Sequence, residues 1–173
     1  MESKYIAPCG MVCCDCLMYK TEIYESAKTF KKAIEKYEFD KFLEHFSKTN
    51  LSFFQDFKKM PEFMTILEKI ISMQCENVCS EAKGCSIPRV DEIMGGIVKE
   101  SHKCNVLLCI ENKGYEGCWE CSELEICEKK KSFSSTYGNV PVENCIIVRD
   151  FGKDAVNPRG NNYYIWQQKS SEE

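Results

Sequence analysis

Ala7-Pro8-Cys9-Gly10-Met11-Val12-Cys13-Cys14-Asp15-Cys16 is the stretch on which the reading of this chain turns. Four cysteines fall within eight residues, three of them spaced C-x3-C-x2-C. A soft metal ion needs deprotonated sulfur donors that converge within a few ångström, and close spacing supplies that convergence at small entropic cost. If Cys13 and Cys16 open a helix they share one face, three residues apart, while Cys14 points elsewhere. Gly10 permits a tight backbone approach beside Cys9. The spacing suits zinc, and it also suits an iron–sulfur cluster held by three cysteines.

Outward from this motif the chain holds 13 cysteines in 173 residues. After Cys16 come 58 residues without any. A second block then runs Cys75, Cys79, Cys85, Cys104, Cys109, Cys118, Cys121 and Cys127, eight thiols in 53 residues, and Cys145 stands apart. The N-terminus lacks the apolar core of a signal peptide, and the cysteine count is odd. The expected compartment is therefore the reducing cytoplasm, where clustered thiols mean metal rather than a disulfide framework. Cys118-x2-Cys121 is half of a zinc knuckle, with Cys127 close by. The expected metal ligands are Cys9, Cys13, Cys16, Cys75, Cys79, Cys85, Cys104, Cys109, Cys118, Cys121 and Cys127. The first block is one donor short of a tetrahedral set, so the two blocks are expected to share an ion. Cys145 reads as a core residue and Cys14 as dispensable. Of the two histidines, His102 lies inside the second block, whereas His45 reads as an ordinary helix residue.

The cysteine-free stretch reads as helices. Ile23, Ala27, Phe30, Ile34 and Tyr37 recur at helical spacing over residues 17–37. A short helix is expected over residues 40–46, another after Asn50, and a fourth opened by Pro61, with the aromatic residues forming the core. Residues 104–113 read as a helix ended by Gly114. Ser122 and Glu125 suggest a capping box for a helix that starts after Cys121 and runs to about Lys131. Lys129-Lys130-Lys131 reads as a solvated helix end and residues 132–144 as a loop. Cys145-Ile146-Ile147-Val148-Arg149 and Tyr163-Tyr164-Ile165-Trp166 then form the two strands of a C-terminal β-hairpin. The fold class is thus mainly α, a metal-stapled cysteine-rich small domain with a short C-terminal β-hairpin. Residues 1–131 make up the cysteine-rich metal-binding helical domain, and residues 132–173 a loop and β-hairpin tail packed on it.

Composition narrows the function classes. The net charge is −4 and the pI about 5.4, against the basic face that nucleic-acid binding requires, although residues 129–173 lean basic. No apolar run approaches the length of a membrane span. Phosphate-loop, nucleophile-elbow and zinc-protease signatures are absent, so the sequence assigns no reaction.

The opening motif, the Cys104-x4-Cys109 step and the stretch Lys113-Gly114-Tyr115-Glu116-Gly117-Cys118-Trp119-Glu120-Cys121 resemble the cysteine-rich bacterial and archaeal proteins grouped as Domain of Unknown Function family 3795. The resemblance covers about residues 5–131, with residues 87–103 resembling an insertion. It implies metal binding by similarity and supplies no activity. The expectation is a zinc-thiolate binding module whose partner is another protein or a small molecule. The alternatives are an iron–sulfur redox protein or enzyme using the Cys9, Cys13, Cys16 triplet, and a thiol-based metal carrier or sensor.

Overall fold

A computed structural model of the chain describes residues 2–81 and 104–168; Cys85, His102 and the expected insertion lie outside the described residues. The chain divides into two compact units, residues 20–74 and residues 1–19 with 75–173.

The 20–74 unit is built from helix α1 (Thr21–Lys36), α2 (Phe39–Ser47), a 3₁₀ segment (Ser52–Lys59) and α3 (Met60–Ser72). Pro61 sits in the first turn of α3, where its missing N–H leaves no bond unmade. Ile34, Leu43, Met60 and Leu67 form the buried centre, with Ala27, Phe54, Phe57, Met64 and Ile71 against it. Lys31 links α1 to α3 by pairing with Glu35 and Glu68. The face expected of α1 is rotated. Tyr24 and Ile34 are buried, whereas Ile23, Phe30 and Tyr37 are exposed. Phe53, Phe63 and Ile66 are also exposed, so these aromatic and aliphatic side chains are not core as expected.

The other unit is organised around its N-terminal turn. An isolated antiparallel bridge joins Ile6 to Val12, and Ala7 N–H donates to Met11 O at 2.8 Å. Gly10 closes the loop at φ +86°, in the left-handed region. A Cβ there would clash with the carbonyl of Pro141 and the sulfur of Cys145, so only glycine lets these backbones meet. Single 3₁₀ turns follow at Cys13–Asp15 and Leu17–Tyr19. After Cys104 comes α4 (Asn105–Lys113), ended by Gly114 at φ +67° as its spacing required.

The remaining elements correct the sequence reading. No helix starts directly after Cys121. The chain makes short 3₁₀ turns at Cys118–Glu120 and Leu124–Ile126, and α5 (Glu128–Tyr137) then begins with Cys127 as its N-cap. The expected loop is instead the end of α5 and the start of α6 (Val140–Phe151). Nor is there a β-hairpin: among the described residues no strand forms. The β-branched run Cys145–Arg149 lies inside α6, and the second expected strand is a bend leading into the short helix α7 (Ile165–Gln168). The reason is visible in the burial of α6. Val140, Asn144, Cys145 and Val148 are buried, a helical rather than an alternating period, and Pro141 lies at the helix start. Burial on one face outweighs the strand preference of Ile146, Ile147 and Val148.

This tail is laced to the N-terminal motif. The Tyr163 hydroxyl accepts from Val12 N–H at 3.0 Å, and the Tyr164 hydroxyl accepts from Leu17 N–H at 2.8 Å. The buried Asp15 carboxylate accepts from the N–H groups of Arg159 and Gly160 at 2.7 and 3.0 Å. Asn144 donates to Gly10 O at 2.9 Å. One core results, holding Ile6, Val12, Leu124, Cys145, Val156 and Tyr163 together. Among the described residues no helix is long and apolar enough to cross a membrane.

Candidate functional site

The two C-x2-C pairs adopt the same local structure. Cys13 and Cys118 each open a 3₁₀ turn entered from extended backbone, at Val12 and Gly117 respectively. In each turn the second cysteine returns its N–H to the first cysteine's carbonyl: Cys16 to Cys13 at 3.0 Å and Cys121 to Cys118 at 3.1 Å. Cys16 and Cys121 are again extended, with φ −73° and −82° and ψ 126° and 124°. Such a turn brings two sulfurs three residues apart toward one side, the geometry of a zinc knuckle. The turns are joined through the backbone, since Cys118 N–H donates to Pro8 O at 2.8 Å.

Around the first turn gather Cys9, Cys13, Cys16 and Cys79. The Cys79 N–H donates to the Cys13 sulfur at 3.4 Å. The Cys13 thiol is raised well above its ordinary range by its hydrogen bond with the Cys79 thiol, and further by burial. Burial pushes Cys9 up to about 12 and also raises Cys16, and both thiols lie within electrostatic reach of Cys79. Cys104 lies within the same reach of Cys9. Cys9, Cys13 and Cys16 resist becoming thiolates, because burial penalises the charge and the neighbouring sulfurs would repel it. A bound cation would offset both penalties.

The second turn opens onto a small cavity of about 20 Å³, close to the space one water or one ion needs. Four cysteines line it: Cys109 from α4, Cys118 and Cys121 from the knuckle turn, and Cys127 at the start of α5. Val106, Ile110 and Leu124 supply apolar walls, and Lys113, Lys129 and Lys130 complete the lining. The Lys113 amine donates to the Cys121 sulfur at 3.5 Å. Among the described residues no group of three or more Cys, His, Asp or Glu side chains is arranged to hold an ion.

Behind the cavity lies a buried polar cluster that the sequence did not reveal. Lys130, only 5% exposed, donates to Cys9 O at 2.7 Å, Pro141 O at 3.2 Å and Cys145 Sγ at 3.2 Å. The Cys118 thiol hydrogen-bonds to the Cys145 sulfur; this bond, together with the Lys130 ammonium, holds Cys145 below its ordinary range against the effect of burial. The same bond raises Cys118. Lys130 was expected to be solvated along with its neighbours. A lysine in the middle of a basic run gives no sequence signal of burial.

The other expected residues sit elsewhere. Cys75 is buried, its N–H donating to Met18 O at 2.7 Å, and Cys14 packs half-buried at the edge of the core. Cys145 is fully buried in the core. His45 lies exposed on α2. A family model described as "Protein of unknown function (DUF3795)" matches residues 5–132, a span holding every cysteine except Cys145. No curated protein and no solved structure matches the chain.

Proposed function

We propose the following for this chain, which belongs to the DUF3795 family of unknown function: it is a thiolate zinc protein, with one ion held by Cys109, Cys118, Cys121 and Cys127. The observation that carries the reading is that cavity, in which four cysteines from three elements line a space fit for one ion. Four sulfur donors form the preferred closed shell of a structural zinc ion and leave no open position for a reacting water. A tetrathiolate zinc centre carries two negative charges. The Lys113 amine on Cys121 and the Lys130 amine in the cavity wall offset that charge and lower the nucleophilicity of the sulfurs. The ion is therefore an architectural element that fixes α4, the knuckle turn and α5 to one another, and the role of the protein is binding rather than catalysis. Its partner would be another protein or a small molecule.

Metal analysis of the purified full-length chain, together with its absorption spectrum, tests this. The expected protein is colourless and carries zinc, and Cys121→Ser binds one equivalent less than the wild type. A brown protein whose iron and sulfide account for its metal would overturn the zinc reading. So would a Cys121→Ser variant that keeps the full zinc content.

A further inference from the structure

We propose a second metal site, formed by Cys9, Cys13 and Cys16 of the N-terminal motif with Cys79 as the fourth donor, suited to a divalent zinc-type ion. This site stands apart from the cavity centre, and either can fail without the other.

The argument starts from the arithmetic of donors. The triplet supplies three sulfurs, and no histidine precedes His45, which lies exposed on α2. A fourth donor must come from elsewhere in the chain. Cys79 is the donor the geometry offers: its N–H and thiol bond to Cys13, it packs against the core that holds Cys9, and Cys9 and Cys16 lie within its electrostatic reach. An N–H donor aimed at a ligand sulfur is the outer-shell contact that steadies a metal thiolate. The Tyr164 hydroxyl, hydrogen-bonded to the Cys16 sulfur, provides a second such contact. The two C-x2-C turns share their 3₁₀ form and the backbone angles of their closing cysteines, Cys16 and Cys121, so the first motif can present its pair much as the second does. The local protein is also rigid enough to hold the set. Val12 and Leu17, on either side of the triplet's turn, are tied to Tyr163 and Tyr164, and Asp15 between the cysteines is tied to Arg159 and Gly160.

An ion here joins cysteines on either side of the 20–74 unit in the sequence, since the chain leaves for that unit after Tyr19 and returns at Cys75. It would fasten both connecting segments and close a long loop, where a cross-link constrains the unfolded chain most.

The test is zinc stoichiometry in the full chain carrying Cys16→Ser, Cys79→Ser, or both. Each single variant should bind one equivalent less than the wild type, and the double variant should lose no more than either single, because both cysteines serve one ion. Cobalt(II) loading gives a second readout. The sulfur-to-cobalt charge-transfer band should weaken in each variant, while the portion removed by Cys121→Ser stays in place, which also reports that the cavity centre has remained folded. Wild-type zinc content in Cys79→Ser would overturn the proposal, as would an additive two-equivalent loss in the double variant. A wild type that binds a single ion, lost in Cys121→Ser and kept in Cys79→Ser, would overturn it while leaving the cavity centre standing.

Discussion

A buried ammonium needs acceptors for all its protons and, ordinarily, a counter-charge. Lys130 finds two carbonyls and the sulfur of Cys145. Cys145 is therefore more than apolar filler: it completes the bonding of a lysine that also touches the backbone of the N-terminal motif. Replacing it with alanine leaves one proton of Lys130 without an acceptor in the core, a loss of about 1–3 kcal/mol. Cys145→Ser, which restores an acceptor, should be milder. Urea unfolding of the two variants measures the difference, and metal content should match the wild type in both. Equal stabilities for the alanine and serine variants would show that the sulfur matters only as volume.

At the scale of elements, the C-x2-C spacings were legible but not the turns they make: Cys13 and Cys16 read as opening a helix, whereas each pair spans a single 3₁₀ turn. Gly114 and Pro61 were legible, each marking a helix end through its own backbone chemistry. Helix α6 was not. Its Cys145-Ile146-Ile147-Val148 run carries strand propensity, and only the burial of Val140, Cys145 and Val148 on one side, fixed by partners far away in sequence, decides for helix. Cys79 was one thiol among eight in the second block, and nothing in its spacing singled it out as the neighbour of the triplet. The Cys118 turn offers a test of how closely an element must be shaped to do its work. A Cβ on Gly117 would overlap the ring of the buried Trp119, which also stacks beneath the Lys153 amine at 5.1 Å. Gly117→Ala should therefore displace the indole, redden its emission as water enters, and speed the loss of zinc to a chelator relative to wild type. Unchanged fluorescence and release rate would mean that the turn tolerates the shift.

For the whole molecule, the consequential fact is how far the tail reaches. The family match ends at residue 132, yet Val140, Cys145, Val148, Val156, Tyr163 and Tyr164 belong to the same buried core as Ile6 and Val12. Full burial of a large side chain contributes about 1.5–3 kcal/mol, and whole domains are stable by only about 5–15 kcal/mol. A chain ending at Lys131 should therefore lose cooperative thermal unfolding and hold less metal than the full chain. If it melts cooperatively near the wild-type temperature, the tail is an accessory rather than part of the fold. Full-length protein treated with a strong chelator should likewise melt at a lower temperature, because ion binding and folding are coupled.

The run Lys129-Lys130-Lys131 places one hidden amine between two exposed ones. An acylating reagent applied to the folded protein meets three chemically identical targets in a row and distinguishes them only by access. The outer two should be marked within the first moments, while the middle one waits for the core around Cys9, Pro141 and Cys145 to open. The chain thus carries its own internal clock. Within a single proteolytic peptide, the ratio of labels records how often the centre of this unit comes apart, with the flanking residues as the reference.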